Sequence, residues 1–217
     1  MSERITAYSL DVRPVVYDRV TRIPLFAGGR EGKSYFTAHD VVSNTDTSFV
    51  QRRFDPDFIR NWKRMNAVGL PVVPEIFLNP GRDFMLTPDV KADGSEVYGK
   101  GLRDVLEGRY RYTRERPRPE IDEIFLELTA PQNIPMILQA AKSVASIANA
   151  HSVELPSEDP MELIIHPDKS WGIISLDLDS AKLDEREPEE MNEFHCQTIM
   201  SDLVAIRRSL ISNLSAS

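Results

Sequence analysis

The N-terminal part of the chain is a series of short apolar runs separated by turn-forming residues. The runs are rich in β-branched and aromatic side chains, which favour strands over helices. They occupy residues 12–17, 20–26, 34–38 and 47–54. Gly29 and Gly32 lie between the second and third runs, and a glycine-rich turn there would let the backbone approach a ligand closely. The pattern predicts β-structure over residues 5–53, although a lone glycine pattern of this kind is more often a simple β-turn.

Helical spacing of apolar residues appears in three later segments. Asp55 and Pro56 are typical of a helix start, and the apolar repeat that follows them ends at Gly69. Further repeats over residues 133–150 and 189–214 predict two longer helices. The predicted apolar faces are, in chain order, Phe58, Ile59, Trp62, Met65 and Val68; Met136, Ile137, Ala140, Ala141, Val144, Ala145 and Ala148; and Phe194, Ile199, Leu203, Ile206, Leu210 and Leu214.

Shorter elements and a polar connection lie between these helices. The sequence predicts strands at residues 70–78 and 83–86, and helices at residues 97–107 and 121–128. Gly99 and Gly101 interrupt the first of these two helices. Residues 87–95 are short and polar, as expected of a connection between lobes. We therefore expect a β-rich lobe over residues 1–90 and a mainly helical lobe over residues 91–217, together forming a single compact domain.

A β-hairpin with carboxylates near its ends is predicted over residues 163–176. Its two apolar runs are residues 163–165 and 172–176, and Pro167 and Asp168 favour the tight turn between them. Side chains alternate along a strand, so Asp177 and Asp179 would share one face, and pairing of the strands could bring Glu162 close to Asp177. Carboxylates that converge in this way either bind a hard cation such as Mg²⁺ or repel one another.

Composition narrows the classes of function. Of the 217 residues, 41% are hydrophobic and 28% are charged, as in an ordinary folded protein. The net charge of −8 argues against nucleic acid as the principal partner, because phosphate binding needs a basic face. The only cysteine, Cys196, excludes an internal disulfide, and no apolar run is long enough for a membrane span. A cytoplasmic protein without membrane contact is expected.

One basic segment stands out against this acidic background. Residues 109–118 contain five arginines interleaved with two tyrosines. Arginine and aromatic side chains together can stack on single-stranded nucleic acid and neutralise it, or bind a phosphopeptide. A solvated charged loop is the alternative interpretation. Binding to single strands would be salt-sensitive and would be lost when these arginines are replaced.

The order of these elements resembles the protein kinase-like fold. In that family a small β-lobe and a helical lobe clamp a nucleotide between them. The resemblance covers roughly residues 20–183. On this resemblance, Gly29 to Gly32 correspond to the glycine-rich loop, residues 47–53 to the strand of the phosphate-binding lysine, and residues 57–68 to the helix after that strand. Residues 85–91 correspond to the hinge, and residues 133–150 to the helix before the catalytic loop.

The end of the hairpin keeps one family feature, but the catalytic loop does not. Leu176-Asp177-Leu178-Asp179 is similar to the Ile-Asp-Phe-Asp form of the metal-binding Asp-Phe-Gly turn. Leu155-Pro156-Ser157 stands where the family has His-Arg-Asp, and Glu162 stands where it has asparagine. On the resemblance, the catalytic base is therefore absent.

The resemblance also implies a change in the phosphate clamp. Gln51, or Arg52 if the register slips by one residue, occupies the lysine position. Asn61 lies near the site of the glutamate that pairs with that lysine, and the interior of the helix has no acid. The chain also ends about one helix after the carboxylate turn, so the resemblance implies a truncated helical lobe. Phosphoryl transfer depends on positioning and charge neutralisation, so the loss of several such groups should abolish ordinary transfer.

These observations lead to a main hypothesis and two alternatives, the second of which is nucleic-acid binding through the basic segment 109–118. The main hypothesis is an inactive, pseudokinase-like domain of α+β class that binds a protein partner or a copy of itself and needs no cofactor. Its remnant of a nucleotide pocket would comprise Gly29, Gly32, Gln51, Arg52, Met85 and Asp177. The first alternative is an atypical phosphotransferase or nucleotidyltransferase that uses ATP with Mg²⁺ or Mn²⁺. There Glu162, Asp177 and Asp179 would hold the metal, and Arg52 would grip phosphate with two donors.

Overall fold

The protein has an α+β fold, seen in a computed structural model that divides into two compact units. The structure describes residues 5–10, 14–23, 34–40, 45–79, 81, 83–108, 119–155, 161–176, 178 and 188–215. Unit 1 comprises residues 1–56, 73–92 and 112–114, and unit 2 comprises residues 57–72, 93–111 and 115–217. Gly29, Gly32, Asp177, Asp179 and the basic segment 109–118 lie outside the described residues.

Unit 1 is built on an antiparallel sheet that closes on itself. Its strands are β1 (Ile5–Ser9), β2 (Pro14–Ile23), β3 (Ser34–Asp40), β4 (Thr45–Arg53), β5 (Phe77–Leu78) and β6 (Phe84–Pro88). They are hydrogen-bonded in the order β1-β2-β3-β4-β6-β5, and β5 also pairs with β1. Phe49 and Phe77 meet edge to face with ring centroids 5.9 Å apart, and both are buried. This geometry is favourable for aromatic rings, and it stabilises the interior of the unit.

Unit 2 combines helices with a three-stranded antiparallel sheet. Its elements are α1 (Pro56–Ala67, from Asp57 onward), β7 (Glu96–Tyr98), α2 (Lys100–Leu106), α3 (Pro119–Leu128), α4 (Ile134–Ala150), β8 (Glu162–Ile165), β9 (Trp171–Ile174) and α5 (Pro188–Ser215). The sheet has the order β7-β8-β9. Helix α5 packs against α2, α3 and α4. Within the described ranges, no helix is both long and apolar enough to cross a membrane.

Several predicted elements are confirmed. Helix α1 starts at Pro56, α3 and α4 lie within one or two residues of the predicted bounds, and the hairpin β8–β9 turns through residues 166–170. Lys169 supports that turn with a positive φ of 71°. The apolar side chains of α4 pack inward as the spacing predicts, since Ile137, Ala141 and Ala148 are fully buried.

The prediction of a long strand over residues 70–78 is wrong. Only Phe77 and Leu78 are in a strand, while Val72 makes a single parallel bridge to Ser175. Pro71 and Pro74 lack backbone N–H groups, so they cannot donate to a strand ladder. The apolar character of this segment reflects burial without regular pairing.

The predicted helix over residues 97–107 is also wrong in its first turn. Residues 96–98 are strand β7, paired with β8, and α2 begins only at Lys100. Gly99 has extended backbone angles, with φ −166° and ψ −165°, and separates the two elements. Pairing to the hairpin is a long-range contact, which local periodicity does not report.

Two smaller corrections concern the continuity of strand β2 and the burial of three apolar side chains of α4 and α5. Residues 14–23 form one strand rather than two, and a shift in its register against β3 between Asp18 and Thr21 marks the interruption that the sequence pattern shows. Met136, Phe194 and Leu214 were predicted on buried faces but are 47%, 43% and 65% exposed. Met136 lies in the first turn of α4 and Leu214 in the last turn of α5, whereas Phe194 lies on an exposed side of α5 between buried neighbours.

Candidate functional site

Arg52 and Met85 are the predicted pocket residues that the structure brings together. In the pairing of β4 with β6, Arg52 is opposite Met85 and Gln51 is opposite Leu86. Successive side chains of a strand point to opposite faces, so Arg52 shares a face of the sheet with Met85, and Gln51 lies on the other face with Leu86. Met85 is buried, while Arg52 and Gln51 are half-buried. The two candidates for the lysine position are therefore on opposite faces of the sheet.

Glu162 lies against the turn between β7 and α2. It is half-buried in β8, opposite Ile174 of β9. A Cβ atom added at Gly99 would lie 2.7 Å from Glu162 Cγ and 2.9 Å from its Oε1, closer than van der Waals contact allows. The glycine is thus required for this close approach. Among the described residues, no three His, Cys, Asp or Glu side chains are grouped so that they could hold a metal ion.

Replacing Gly99 with alanine is expected to lower the free energy of unfolding by about 1–3 kcal/mol, because the new methyl group forces Glu162 out of its place. The matched control is Gly101→Ala, since a Cβ atom at Gly101 meets nothing within 4 Å and the residue is exposed. That variant should be about 0.5–1 kcal/mol more stable than wild type, because alanine favours helix. Urea denaturation of both variants measures the difference between their free energies of unfolding. Equal stabilities would contradict the conclusion that the close approach of Glu162 requires a glycine at position 99.

Asn61 has a buried hydrogen bond that the sequence pattern did not reveal. It is 8% exposed, and its Nδ2 donates to the backbone carbonyl of Leu178 at 2.7 Å. Leu178 directly follows Asp177 in the chain and is fully buried. The only sequence signal was a polar residue on the apolar side of α1, between Phe58 and Met65. The structure shows that its amide is used as a donor toward this segment.

Leu155 occupies a buried position after α4. Its side chain is 1% exposed, and its backbone N–H donates to Asn192 Oδ1 at 3.4 Å. The Nδ2 group of Asn192, which is itself buried in α5, donates to Asn149 Oδ1 at 2.5 Å and to the Val153 carbonyl at 3.4 Å. Asn192 therefore anchors the chain as it leaves α4, and Leu155 presents no polar side chain there.

A serine, a histidine and an aspartate meet where β7 and β8 pair, and sequence reasoning gave His166 no role. The Ser95 Oγ atom lies 2.6 Å from His166 Nδ1, and the Ser95 hydroxyl donates to Asp93 Oδ1 at 2.5 Å. These distances are satisfied together if His166 Nδ1–H donates to Ser95 Oγ. Ser95 is only 1% exposed, and Asp93 lies beside the same ring nitrogen at 3.5 Å. The group joins two loops and lacks the accessible hydroxyl that a nucleophile needs.

The turn of the hairpin contains a second aspartate–serine contact of the same kind. Asp168 Oδ1 accepts hydrogen bonds from Ser170 N at 2.9 Å and from Ser170 Oγ at 2.6 Å. These bonds lower the pKa of the Asp168 carboxyl. For Asp93, burial would raise the pKa, but hydrogen bonds from Ser95 and the charge of His166 outweigh burial and lower it. A carboxyl group whose pKa is lowered on folding stabilises the fold at pH values above its unfolded-state pKa of about 3.9. This stabilisation is lost as the pH falls through the folded-state pKa.

The two Asp-x-Ser turns give a matched titration test. Ser95→Ala is expected to raise the pKa of Asp93 toward its ordinary value and to leave the pKa of Asp168 unchanged. Ser170→Ala should raise the pKa of Asp168 and leave the pKa of Asp93 unchanged. Carboxyl-carbon NMR titration of wild type and both variants measures the four values. A Ser95→Ala variant in which the pKa of Asp93 does not move would show that the serine is not the cause of the shift.

Comparisons with known proteins come from solved structures. No family model matches the chain, and a search of curated proteins finds no match. The chain is similar to a rhoptry kinase from Toxoplasma gondii, with 14% sequence identity and a TM-score of 0.45, covering 82% of this chain and 50% of that one. It is also similar to the Drosophila melanogaster PAN3 pseudokinase, with 12% identity and a TM-score of 0.40, covering 91% of this chain and 56% of that one. The chain spans about half the length of each of these two structures.

Proposed function

We propose that the protein is a kinase-like domain that has lost phosphoryl transfer and acts as a protein-interaction or regulatory module. The observation that carries this proposal is the hydrogen bond from Asn61 to the Leu178 carbonyl. On the kinase-like resemblance, Asn61 stands near the site of the glutamate that pairs with the phosphate-binding lysine. An ionised carboxylate cannot donate to a carbonyl, so the amide has a structural use that the glutamate could not fulfil.

Leu155 supports the same conclusion. It stands where the family pattern places the histidine of His-Arg-Asp, and its side chain is buried. A buried leucine has no group that can orient a catalytic base or hold a proton. The loss of a base alone reduces a rate by about 10²–10⁴-fold. Together with the change at the lysine position, the loss of the base that the resemblance implies at Ser157 supports the absence of ordinary phosphoryl transfer.

A thermal-shift titration with ATP, in the presence of Mg²⁺ or Mn²⁺, tests the proposal directly. We expect no rise in melting temperature at millimolar ATP, because a ligand that does not bind the native state cannot stabilise it. A parallel assay with radiolabelled ATP should detect no phosphoryl or nucleotidyl transfer to the protein or to a generic protein acceptor. ATP-dependent stabilisation together with transfer would overturn the proposal.

The metal-dependent transferase is the second candidate, and the half-buried Arg52 beside Met85 is the observation that favours it. Guanidinium groups stay charged and bind phosphate through two donors. This candidate predicts transfer that is lost in Asp177→Ala and Glu162→Gln but retained in Asp168→Ala. Asp168 is the matched control, because it is exposed in the turn of the hairpin. Absence of stabilisation by ATP and metal would exclude this candidate.

The proposed partner is a protein, either another chain or a second copy of this one. Self-association is tested by light scattering over a range of protein concentrations. A mass that rises from monomer to dimer with concentration would identify the partner as a second copy. A constant monomer mass would exclude self-association and leave a different protein as the proposed partner.

A further inference from the structure

Helix α5 carries a second apolar stripe beside its buried face. The buried face includes Leu203 and Ile206, which are both fully buried. The second stripe follows a spacing of three, four or seven residues and therefore lies along one side of the helix. It consists of Met200, Val204, Ile211 and Leu214. Met200 is half-buried, whereas Val204, Ile211 and Leu214 are 37%, 44% and 65% exposed. Apolar side chains that are aligned on an exposed surface mark an interaction site, which scattered ones do not.

Arg207 lies within the spacing of this stripe but does not place its charge there. Its Nη1 group donates to the Leu126 carbonyl and, at 3.2 Å, to Thr129 Oγ1. The charged end of the side chain is thus directed toward the end of α3, and its methylene groups can still pack as apolar surface. The stripe then has the alternating three- and four-residue repeat of a helix that pairs with another helix.

The charges beside the stripe have opposite signs at its two ends. Glu193 lies seven residues before Met200, on the same side of the helix, and Arg208 lies one turn after Val204. Both side chains are exposed. Glu189 and Glu190 in the first turn of α5 add to the acidic end. The helix therefore carries the complement of its own charge pattern.

This pattern suits an antiparallel pair of α5 helices. If Met200 of each copy packs beside Val204 of the other, Arg208 of one copy comes within about one helical turn of Glu193 of the other. The two-fold symmetry of such a pair forms this contact twice. A parallel pair would instead bring Glu193 beside Glu193 and Arg208 beside Arg208, which is unfavourable for like charges.

We propose that the stripe on α5 is a self-association surface, through which two copies of the protein bind each other with their α5 helices antiparallel. The proposal rests on the function proposed above and deepens it, because it identifies the protein partner as a second copy of this chain. One pair of helices buries little surface compared with a standard interface, so monomer and dimer exchange and the dimer fraction rises with concentration.

Sedimentation equilibrium tests the stripe with a charge placed in its centre. Val204→Asp should raise the dissociation constant of the dimer by about 100-fold, because each copy then buries a carboxylate against apolar side chains. Asn213→Asp is the matched control: it adds the same charge to an exposed position nine residues away, on the opposite side of the helix. This control should keep the wild-type dissociation constant.

Two results of this experiment would overturn the proposal. The first is a wild-type protein that stays monomeric at every concentration, and the second is a Val204→Asp variant that dimerises as well as wild type. Neither result bears on the loss of phosphoryl transfer, which the titration and transfer assay with ATP decide separately. A monomer that shows no transfer would leave the proposed function in place with a different protein as its partner.

Exposed charges give a second test that does not depend on the packing of Val204. Glu193→Arg and Arg208→Glu should each raise the dissociation constant by roughly 10-fold at low salt, since each creates two repulsive contacts in the antiparallel pair. The two changes combined in one chain restore opposite charges and should return the constant toward the wild-type value. The single effects should also shrink as salt is added. Single variants that dimerise like wild type would overturn the antiparallel arrangement.

The direction of the two helices is measured with spin labels at Ser201→Cys and, separately, at Ser212→Cys. Both serines are exposed, and the native Cys196 is buried. Antiparallel helices that cross near residue 202 place the two labels at position 201 close together, and those at position 212 roughly 30 Å apart along the axis. Equal short distances at both positions would show a parallel pair and overturn the proposal.

Discussion

Replacing Arg103 with methionine is expected to lower the free energy of unfolding by about 3–5 kcal/mol, because it removes one partner of a buried ion pair. Arg103 of α2 binds Asp202 of α5 through Nη1 and binds Asp104 Oδ1 through Nη2 at 3.2 Å. The side chains of Asp104 and Asp202 are only 8% and 4% exposed. Methionine preserves most of the side-chain packing but leaves both carboxylates without this cation.

The protonation of Arg103 follows from the same contacts. Burial opposes the charge on Arg103, but Asp202 and Asp104 outweigh burial and raise its pKa. The guanidinium group therefore stays charged at neutral pH.

Two further variants separate the ion pair from general damage to α5. Arg208→Met replaces an exposed arginine of that helix and should change the stability by no more than about 0.5 kcal/mol. The double variant Arg103→Met with Asp202→Leu should be more stable than Arg103→Met alone, because one of the two buried carboxylates that lost the Arg103 cation is gone. Urea denaturation with a constant m value measures all three. A double variant less stable than the single one would contradict a charge-based account.

The contacts of α5 explain why the sequence predicts that this segment is a helix but does not predict which elements the helix packs against. Its periodicity and terminal charges are local features, and the structure confirms a helix over Pro188–Ser215. Its partners are distant: Asp202 binds Arg103, and Arg207 donates to the Leu126 carbonyl and to Thr129 Oγ1. No sequence spacing marks such pairs, because either charge could equally be solvated.

The same distinction applies to the candidate site. The hairpin β8–β9 was predictable because two short apolar runs and the Pro-Asp turn between them specify it locally. The pairing that places Arg52 opposite Met85 depends on register across the sheet, which the sequence leaves open between Gln51 and Arg52. In the sequence, Asn61 is notable only because the family resemblance places a glutamate near that position. Its role as a donor to Leu178 depends on how the chain returns after β9.

Tyr98 shows how a single strand residue can hold a helix. Its ring is fully buried and stacks on Phe125 of α3, with centroids 4.1 Å apart and an angle of 13° between the planes. Its hydroxyl donates to Asp122 Oδ1 at 3.1 Å. Burial and the Asp122 carboxylate both raise the pKa of the Tyr98 phenol, so the hydroxyl keeps its proton and remains a donor at neutral pH. One side chain thus joins β7 to α3 by packing and by a charge-assisted hydrogen bond.

Tyr98→Ala is therefore expected to lower the free energy of unfolding by about 3–5 kcal/mol, because it leaves a cavity of aromatic size against Phe125. Tyr98→Phe keeps the ring and removes only the hydroxyl, so it should cost about 1.5–3 kcal/mol, the range for a hydrogen bond to a charged group. A double-mutant cycle with Tyr98→Leu and Phe125→Leu should give a coupling energy of about 0.5–1.5 kcal/mol for the ring pair. Urea denaturation supplies all these values. If Tyr98→Phe is as unstable as Tyr98→Ala, the hydroxyl rather than the stacked ring attaches α3 to β7.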